Sequence, residues 1–493
     1  MLTLALPIFL LYILLIGNYT YHWLKIPVFK NRLAGQQRAF TVVIAARNES
    51  DNIGSLLLAL QGQQYPTELI EIIVVDDRST DQTAEIVRKF PQVRLIQDKN
   101  ESEAGGKKRS LELGIHHANL NITLNGLLSP EKDAKPGQLT ASADGFTFVI
   151  NQKYAEAMDR LIKPLSDQGV VVTLIVITYR SPNERIRNLT VHPKADPAKG
   201  TTMAANTVTP EGRACYKALT EFIARRWSAA DAKHGRVWGW IVSNEVNSHH
   251  EWHQMGPATA DEVVLQYEDQ VRLAWESLRH HSANARVYIS MTHSWTAKGH
   301  KDPLQACPGR TLLELFAKRA RERGDFDWNL AFHPYPWNLR DPRTWLDKVS
   351  FNDNTPKVTF KNLEVLTKKL ATPEMLYAGK PRRLSFTEQG FDLPNRPEGL
   401  AEQAAAYAYA WEKVLRLGDA VDAFHYHRQV DHAKEGGLRF GLWSNKPGTI
   451  SEPDQKRPIW HLLKTADTPG WKAAAEPYLK TCGLKSWDEV MGK

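Results

Sequence analysis

The chain has 493 residues, 42% of them hydrophobic and 24% charged, which is the make-up of a folded protein of two or three domains and excludes a disordered or fibrous chain. Its net charge of +8 is spread along the sequence without a Lys/Arg block, so nothing marks it as a nucleic-acid binder. Cys215, Cys307 and Cys482 are far apart and form neither a disulfide framework nor a metal-ligand spacing.

The first element is "MLTLALPIFLLYILLIGNYTYHWL", residues 1–24, which carries no Lys, Arg, Asp or Glu. A run of about 20 apolar residues spans a bilayer, so a transmembrane helix is expected here. Lys25, Lys30 and Arg32 follow it, which by the positive-inside rule places the remainder in the cytoplasm. The side of the membrane on which the rest of the chain lies stays open. The expectation is a single-pass membrane protein anchored through this helix.

Residues 39–111 alternate strand and helix patterns. "FTVVIAA", "IEIIVVDD" and "QVRLI" read as buried strands, and "ESDNIGSLLLALQGQ" and "STDQTAEIVRKF" as helices with polar starts. Polar residues at the strand ends are where open α/β sheets bind ligands. The segments "VVIAARNE" (42–49), "VVDDRSTDQT" (74–83) and "GGKKRSLELGI" (105–115) resemble the N-terminal half of a family-2 glycosyltransferase. The resemblance implies that Ala45, Arg47, Glu49, Asp77 and Lys108 contact the nucleotide of an activated sugar. It then stops: where that family carries an Asp-x-Asp metal motif, this chain reads "HHANLNITLNGLLSP". Transfer needs a metal to neutralise the leaving diphosphate, so a truncated α/β module is expected.

From residue 112 a second pattern runs to 493. "HANLNITLN", "VVVTLIVITY", "RVWGWIVSN", "ARVYISMTHSW", "WNLAFHPYP", "RRLSFTEQGF" and "VDAFHYHR" read as strands separated by amphipathic helices, with a small hairpin in "TASADGFTFVIN". Repeated βα units imply a parallel sheet, and their number points to a (β/α)8 TIM barrel.

Barrel chemistry sits at strand C-termini. Those positions hold Asn244-Glu245, His293-Ser294-Trp295, His333-Pro334-Tyr335, Glu388 and His425-Tyr426-His427. Glu245 and Glu388 lie on strands separated by two others and face each other across the mouth. Paired carboxylates across a groove are what glycoside hydrolysis requires. The fifteen Trp and the strand-end His suit stacking on sugar rings and reaching their hydroxyls. No metal pattern such as HExxH occurs, and no cofactor is expected.

Residues 112–465 resemble the clan A retaining glycosidases, and are most similar to a family of bacterial glycosidases without assigned function, through "WIVSNEVNSHHEW", "VYISMTHSW", "DFDWNLAFHPYP", "LSFTEQGF" and "HRQVDHAKEGGLRFGLW". The resemblance implies Glu245 as general acid/base, Glu388 as nucleophile, Asn244 on the sugar 2-hydroxyl and Tyr335 orienting Glu388. It leaves His333, His293, Trp295, His425, His427, Arg428 and Trp443 for the sugar subsites, with His249, His250 and Trp252 as walls. Glu245 would need a raised pKa, from apolar neighbours such as Trp240 and from the charge on Glu388.

In that clan Asn-Glu closes the fourth strand, which makes "HANLNITLN" the second. The first is missing, and 92–97 with 107–115 are the expected substitutes. The functional expectation is a retaining β-glycoside hydrolase acting on a poly- or oligosaccharide. The alternatives are a membrane-anchored family-2 glycosyltransferase and a glycan-binding fusion without turnover.

Overall fold

The computed structural model describes residues 40–46, 49–63, 70–76, 79, 81–97, 115–196 and 198–492. Near the N-terminus, β1 (Phe40–Ala46), β2 (Ile70–Asp76) and β3 (Val93–Gln97) form a parallel sheet in the order β1-β2-β3. These strands are continuous apolar runs, as parallel strands covered by helices should be. Helices α1 (Ile53–Gln61) and α2 (Thr83–Arg88) supply the cover, setting Ile53, Leu57 and Val87 against Ile72 and Val74.

The larger sheet has seven parallel strands: β4 (His117–Thr123), β7 (Val171–Ile177), β8 (Val237–Val242), β9 (Arg286–Thr292), β10 (Trp328–His333), β11 (Leu384–Gln389) and β12 (Val421–Tyr426). The expected hairpin is present as β5 (Thr140–Ala143) and β6 (Phe146–Val149). Each step between neighbours in the large sheet is made by a helix: α3 (Gln152–Asp167), α4 (Pro210–Trp227), α5 (Ala260–His281), α6 (Gly309–Glu322), α7 (Glu364–Leu370) and α8 (Gly399–Leu417). Local chemistry fixes their starts. Thr209 caps α4 by accepting from the Gly212 amide, and Thr259 with Glu262 forms a capping box on α5.

The pleat separates two environments. Ile175, Ile241, Tyr288 and Ala331, one from each of four adjacent strands, pack inside the curl. Trp240, next to Ile241, points outward, and its indole N–H donates to Ser228 Oγ at the end of α4 (3.3 Å). The expectation that Trp240 neighbours Glu245 is therefore corrected by the two-residue period of the strand.

The eighth strand of a barrel is missing among the described residues. The order β12-β11-β10-β9-β8-β7-β4 leaves β4 and β12 paired on one side only. Side chains of β4 reach across the gap: the His117 ring meets His425 of β12 edge to face at 6.0 Å, and Asn119 Nδ2 donates to Thr387 O of β11 (2.8 Å). Residues 92–97 do not fill the place. Val93–Gln97 pairs with Ile72–Asp76 along its whole length and belongs to the small sheet, while 107–114 lie outside the described residues. The result is a curled parallel α/β sheet one strand short of the expected closed barrel.

The small sheet docks beneath the large one. Arg236, just before β8, pairs with Glu71 (3.0 Å) and covers the Trp238 ring at 4.3 Å. Arg94 donates to Ser166 O (3.2 Å), and Asn284, just before β9, donates to Thr41 Oγ1 (2.6 Å).

The span expected over 1–24 lies outside the described residues. Among the described residues no helix is long and apolar enough to cross a membrane. Even α5, with 22 residues, carries Asp261, Glu262, Asp269, Arg272, Glu276 and Arg279. On that finding the expected single-pass membrane location, and the membrane as a partner, are withdrawn.

Candidate active site

Glu245 sits just past the end of β8 with φ +38°, and Ser243 two residues earlier has φ +64°. Left-handed backbone costs about 1 kcal/mol or more at a non-glycine residue, and persists where neighbours over-determine it. Here they do. The Glu245 amide donates to Ser290 Oγ (3.0 Å), and Tyr267 Oη bonds Val242 O (2.6 Å) and the Ser290 amide (2.9 Å). Ser243 Oγ meets His253 Nδ1 (2.6 Å), and Asn247 holds the end of β9 by accepting from the Thr292 amide (2.9 Å). These bonds turn the Glu245 side chain into the mouth.

His333 closes β10 and is buried between the two glutamates. Its Nδ1 lies 2.8 Å from Glu245 Oε1 and 4.0 Å from Glu388 Oε2, and its Nε2 lies 3.1 Å from Thr387 Oγ1. Tyr335 Oη donates to Glu388 Oε1 (2.9 Å). Burial pushes the His333 imidazolium down, but Glu388 and Glu245 outweigh it and hold the ring above its usual 6.5. Burial pushes the Glu388 carboxyl up, but His333, His427, the Tyr335 hydroxyl and Arg428 together hold it below the usual 4.5. Burial and the two carboxylates push the Tyr335 hydroxyl far up, so it stays a donor.

A second layer comes from the loop after β12. Glu435 lies 2.8 Å from His427 Nε2 and 3.1 Å from Arg428 Nε, and so fixes two of the groups that act on Glu388. Gly390 lets the His427 carbonyl approach the end of β11, since a Cβ there would collide with that oxygen.

The mouth thus gathers Glu245, Glu388, His333 and Tyr335, with His427 close enough to act on Glu388. Asn244 is half-buried beside Glu245. His293 is held neutral, pushed down to about 3 by burial, Lys357 and His333. Other candidates fall elsewhere. Trp295 is fully buried, its indole donating to Asp353 (3.1 Å). Trp443 packs edge-on against Trp460 at 6.3 Å, with the Lys456 ammonium 5.0 Å from its ring. His425 faces His117 in the gap between β4 and β12. His249 is buried against Leu304 O, and His250 bonds Gln305 O (3.0 Å). Trp252 is half-buried, its carbonyl bonded by Thr202. Ser290, Thr387 and Glu435 were not anticipated from sequence. Ser290 had a signal, as a hydroxyl inside the apolar strand "RVYISMT", and Glu435 lies inside the quoted motif "HRQVDHAKEGGLRFGLW".

Glu245, His333 and Glu388 are also the one group among the described residues whose donor atoms are close enough to share a metal ion. Both His333 nitrogens already meet oxygen partners, so an ion would have to displace them. In the small sheet, Glu49 accepts from Asn52 Nδ2 (3.1 Å), and Ala45 belongs to β1. Arg47, Asp77 and Lys108 lie outside the described residues.

Comparison with known proteins finds two family matches, which overlap over residues 101–124. Residues 41–124 match glycosyl transferase family 2. The 4,4'-diaponeurosporenoate glycosyltransferases of Staphylococcus aureus strains USA300 and NCTC 8325 / PS 47 are each 35% identical over 85 residues. That is 17% of this chain, which spans only 22% of those relatives. Among solved structures, a family 39 glycoside hydrolase from Bacteroides cellulosilyticus WH2 aligns at 14% identity and TM-score 0.45, covering 73% of this chain and 60% of that one. A β-glucosidase from Thermotoga maritima in complex with deoxynojirimycin aligns at 14% identity and TM-score 0.45, covering 77% of this chain and 86% of that one. A family 39 β-xylosidase from Caulobacter crescentus aligns at 14% identity and TM-score 0.40, covering 87% and 71%. Residues 101–490 match the family described as "Family of unknown function (DUF5722)", and with most of its length inside that match the chain belongs to this family.

Proposed function

We propose that the chain is a retaining glycoside hydrolase that cleaves β-glycosidic bonds of a poly- or oligosaccharide. The observation that carries this reading is the convergence of Glu245 and Glu388 on His333, with the donor atoms of all three within 4.8 Å of one another. Retaining enzymes hold their two carboxyl groups about 5–5.5 Å apart, whereas inverting enzymes leave room for a water between them.

In this mechanism Glu388 attacks the anomeric carbon. The cations and the Tyr335 hydroxyl around it keep it ionised for that role. Glu245 protonates the departing oxygen, then takes the proton from the water that frees the sugar. His333 bonds Glu245 and faces Glu388, so it fixes the distance between the two and carries positive charge while Glu388 is an anion. Asn244 is assigned to the sugar 2-hydroxyl, and residues 112–493 to the hydrolase unit.

The test is hydrolysis of aryl β-glycosides by the full chain, followed by NMR of the first-formed sugar. Retention in the native protein and loss of turnover in Glu388→Ala are expected. An inverted product, or turnover that survives the substitution, overturns the reading.

The family-2 match over 41–124 favours a second reading for that module alone, namely affinity for a nucleotide sugar. Calorimetry with UDP-glucose and Mg²⁺ tests it; no heat of binding would dismiss it.

A further inference from the structure

A cavity of about 640 Å³ lies where β4 and β12 fail to meet. It begins at Glu388 and Thr387 and passes between the two unpaired strand edges. It ends at the helix layer, against Trp411 and Val414 of α8 and Leu463 beyond. Small-molecule sites are typically about 300–1,000 Å³, so the space can hold a ligand of several rings. It is continuous with the candidate active site on one side only, because it takes in Glu388 but not Glu245.

The walls combine flat rings with uncharged hydrogen-bonding groups. Trp411 and Tyr426 supply rings, while His117, His425 and Asn121 supply polar atoms. The two imidazoles bond no other side chain among the described residues and face each other at 6.0 Å. Both are held neutral, His425 pushed down to about 3 by burial and by His117, and His117 lowered chiefly by burial. A neutral imidazole offers one donor and one acceptor, which matches hydroxyl groups. Of the charged groups of the lining, Asp467 is exposed to solvent, and the more deeply placed ones have partners. Asp422 is tied to Arg286 (2.8 Å) and Arg383 (2.7 Å), and Arg428 faces Glu435. The free edges of β4 and β12 add backbone donors and acceptors.

We propose that this gap is a sugar-binding passage that takes the glycone side of an uncharged oligosaccharide, so that the chain runs from Glu388 out through the wall of the sheet. The side follows from the chemistry. The nucleophile bonds the glycone and the acid/base serves the leaving group, and the passage opens beside Glu388 alone. This inference rests on the reading of Glu388 as nucleophile.

The test uses the full chain carrying Glu388→Gln, so that ligands bind without turnover, and measures affinity by calorimetry. The probes are the di- and tetrasaccharides of the β-1,4-gluco, -xylo and -manno series. The tetrasaccharide of at least one series should bind about tenfold or more tightly than its disaccharide, which is 1.4 kcal/mol. That ratio should fall towards one in His425→Phe, which replaces the hydrogen-bonding ring, and in Val414→Trp, which blocks the far end. Two substitutions are used so that one failing to fold leaves the other. Hydrogen exchange should show those amides of 117–123 and 421–426 that point away from β7 and β11 gaining protection only when the tetrasaccharide is added. No gain with chain length, a gain that survives both substitutions, or edge amides already protected without sugar would each overturn the proposal. The last result would mean that polypeptide fills the gap. Failure of the catalytic reading shows separately, as turnover of aryl glycosides that persists in Glu388→Gln.

Discussion

Tyr335 donates its hydroxyl hydrogen bond to Glu388 over 2.9 Å, from a position two residues beyond His333. The bond is made to a buried carboxylate whose pKa burial pushes up, so it should matter more than an exposed contact. Tyr335→Phe removes only the oxygen. Hydrogen bonds to charged groups are worth about 1.5–3 kcal/mol, so kcat/KM on an aryl glycoside should fall by about tenfold or more. The acidic limb of the pH–rate profile should move to higher pH. An unchanged limb with reduced rate would assign Tyr335 a packing role instead.

Glu245 as general acid makes a prediction that depends on the leaving group. Glu245→Gln should lower turnover by about 10²–10⁴-fold for alkyl glycosides, whose leaving oxygen needs the proton. The loss in the first step should be far smaller for a dinitrophenyl glycoside, which leaves unaided. Equal losses for both would remove Glu245 from the acid role.

His333 and Glu388 make stability depend on pH in opposite directions. The folded pKa of His333 is raised. Its contribution is therefore full below the unfolded value near 6.5 and is lost as pH rises through the folded pKa. The folded pKa of Glu388 is lowered. Its contribution is full above the unfolded value near 4.3 and is lost as pH falls through the folded pKa. Together they stabilise the fold most between those two unfolded values. Urea titrations should show that Glu388→Gln flattens the decline above pH 6.5. A decline as steep as in the native chain would separate the two groups.

Removal of divalent ions is expected to leave aryl glycoside hydrolysis unchanged, since both His333 nitrogens already have oxygen partners. Dialysis against EDTA, followed by assay with and without added Zn²⁺ and Mn²⁺, checks this. A loss restored by one ion would convert the Glu245–His333–Glu388 cluster into a metal site.

Arg236 is buried, paired with Glu71 and stacked on Trp238. Breaking one partner of a buried pair costs about 3 kcal/mol. Arg236→Ala should therefore loosen the small sheet, and limited proteolysis should cut between 97 and 115 sooner than in the native chain. Identical digestion patterns would show that the sheet is held by other contacts.

Much of this was legible in sequence because the signals are local. The alternation of apolar strands and capped helices gives every strand of both sheets to within a few residues, and "SNE" and "FTE" mark the strand ends that carry the glutamates. Closure was not legible. Whether 92–97 joins the large sheet depends on which edge it meets, and its pattern "VRLIQ" suits either. Burial of single rings was equally hidden. Trp295 follows a strand end as a sugar platform would, yet its indole turns inward to Asp353. Trp240 reads as a neighbour of Glu245 but lies on the other face of the pleat. Glu435 reaches His427 and Arg428 only through the turn of the loop after β12, which no periodic pattern marks.

The contacts Arg236–Glu71 and Asn284–Thr41 join the starting ends of β8 and β9 to the starting ends of β2 and β1. Parallel α/β sheets bind ligands at the opposite, C-terminal ends of their strands. The two units therefore stand back to back, with their ligand-bearing faces turned away from each other. A ligand held at the end of β2 and a sugar held at Glu388 would lie on opposite poles of the molecule.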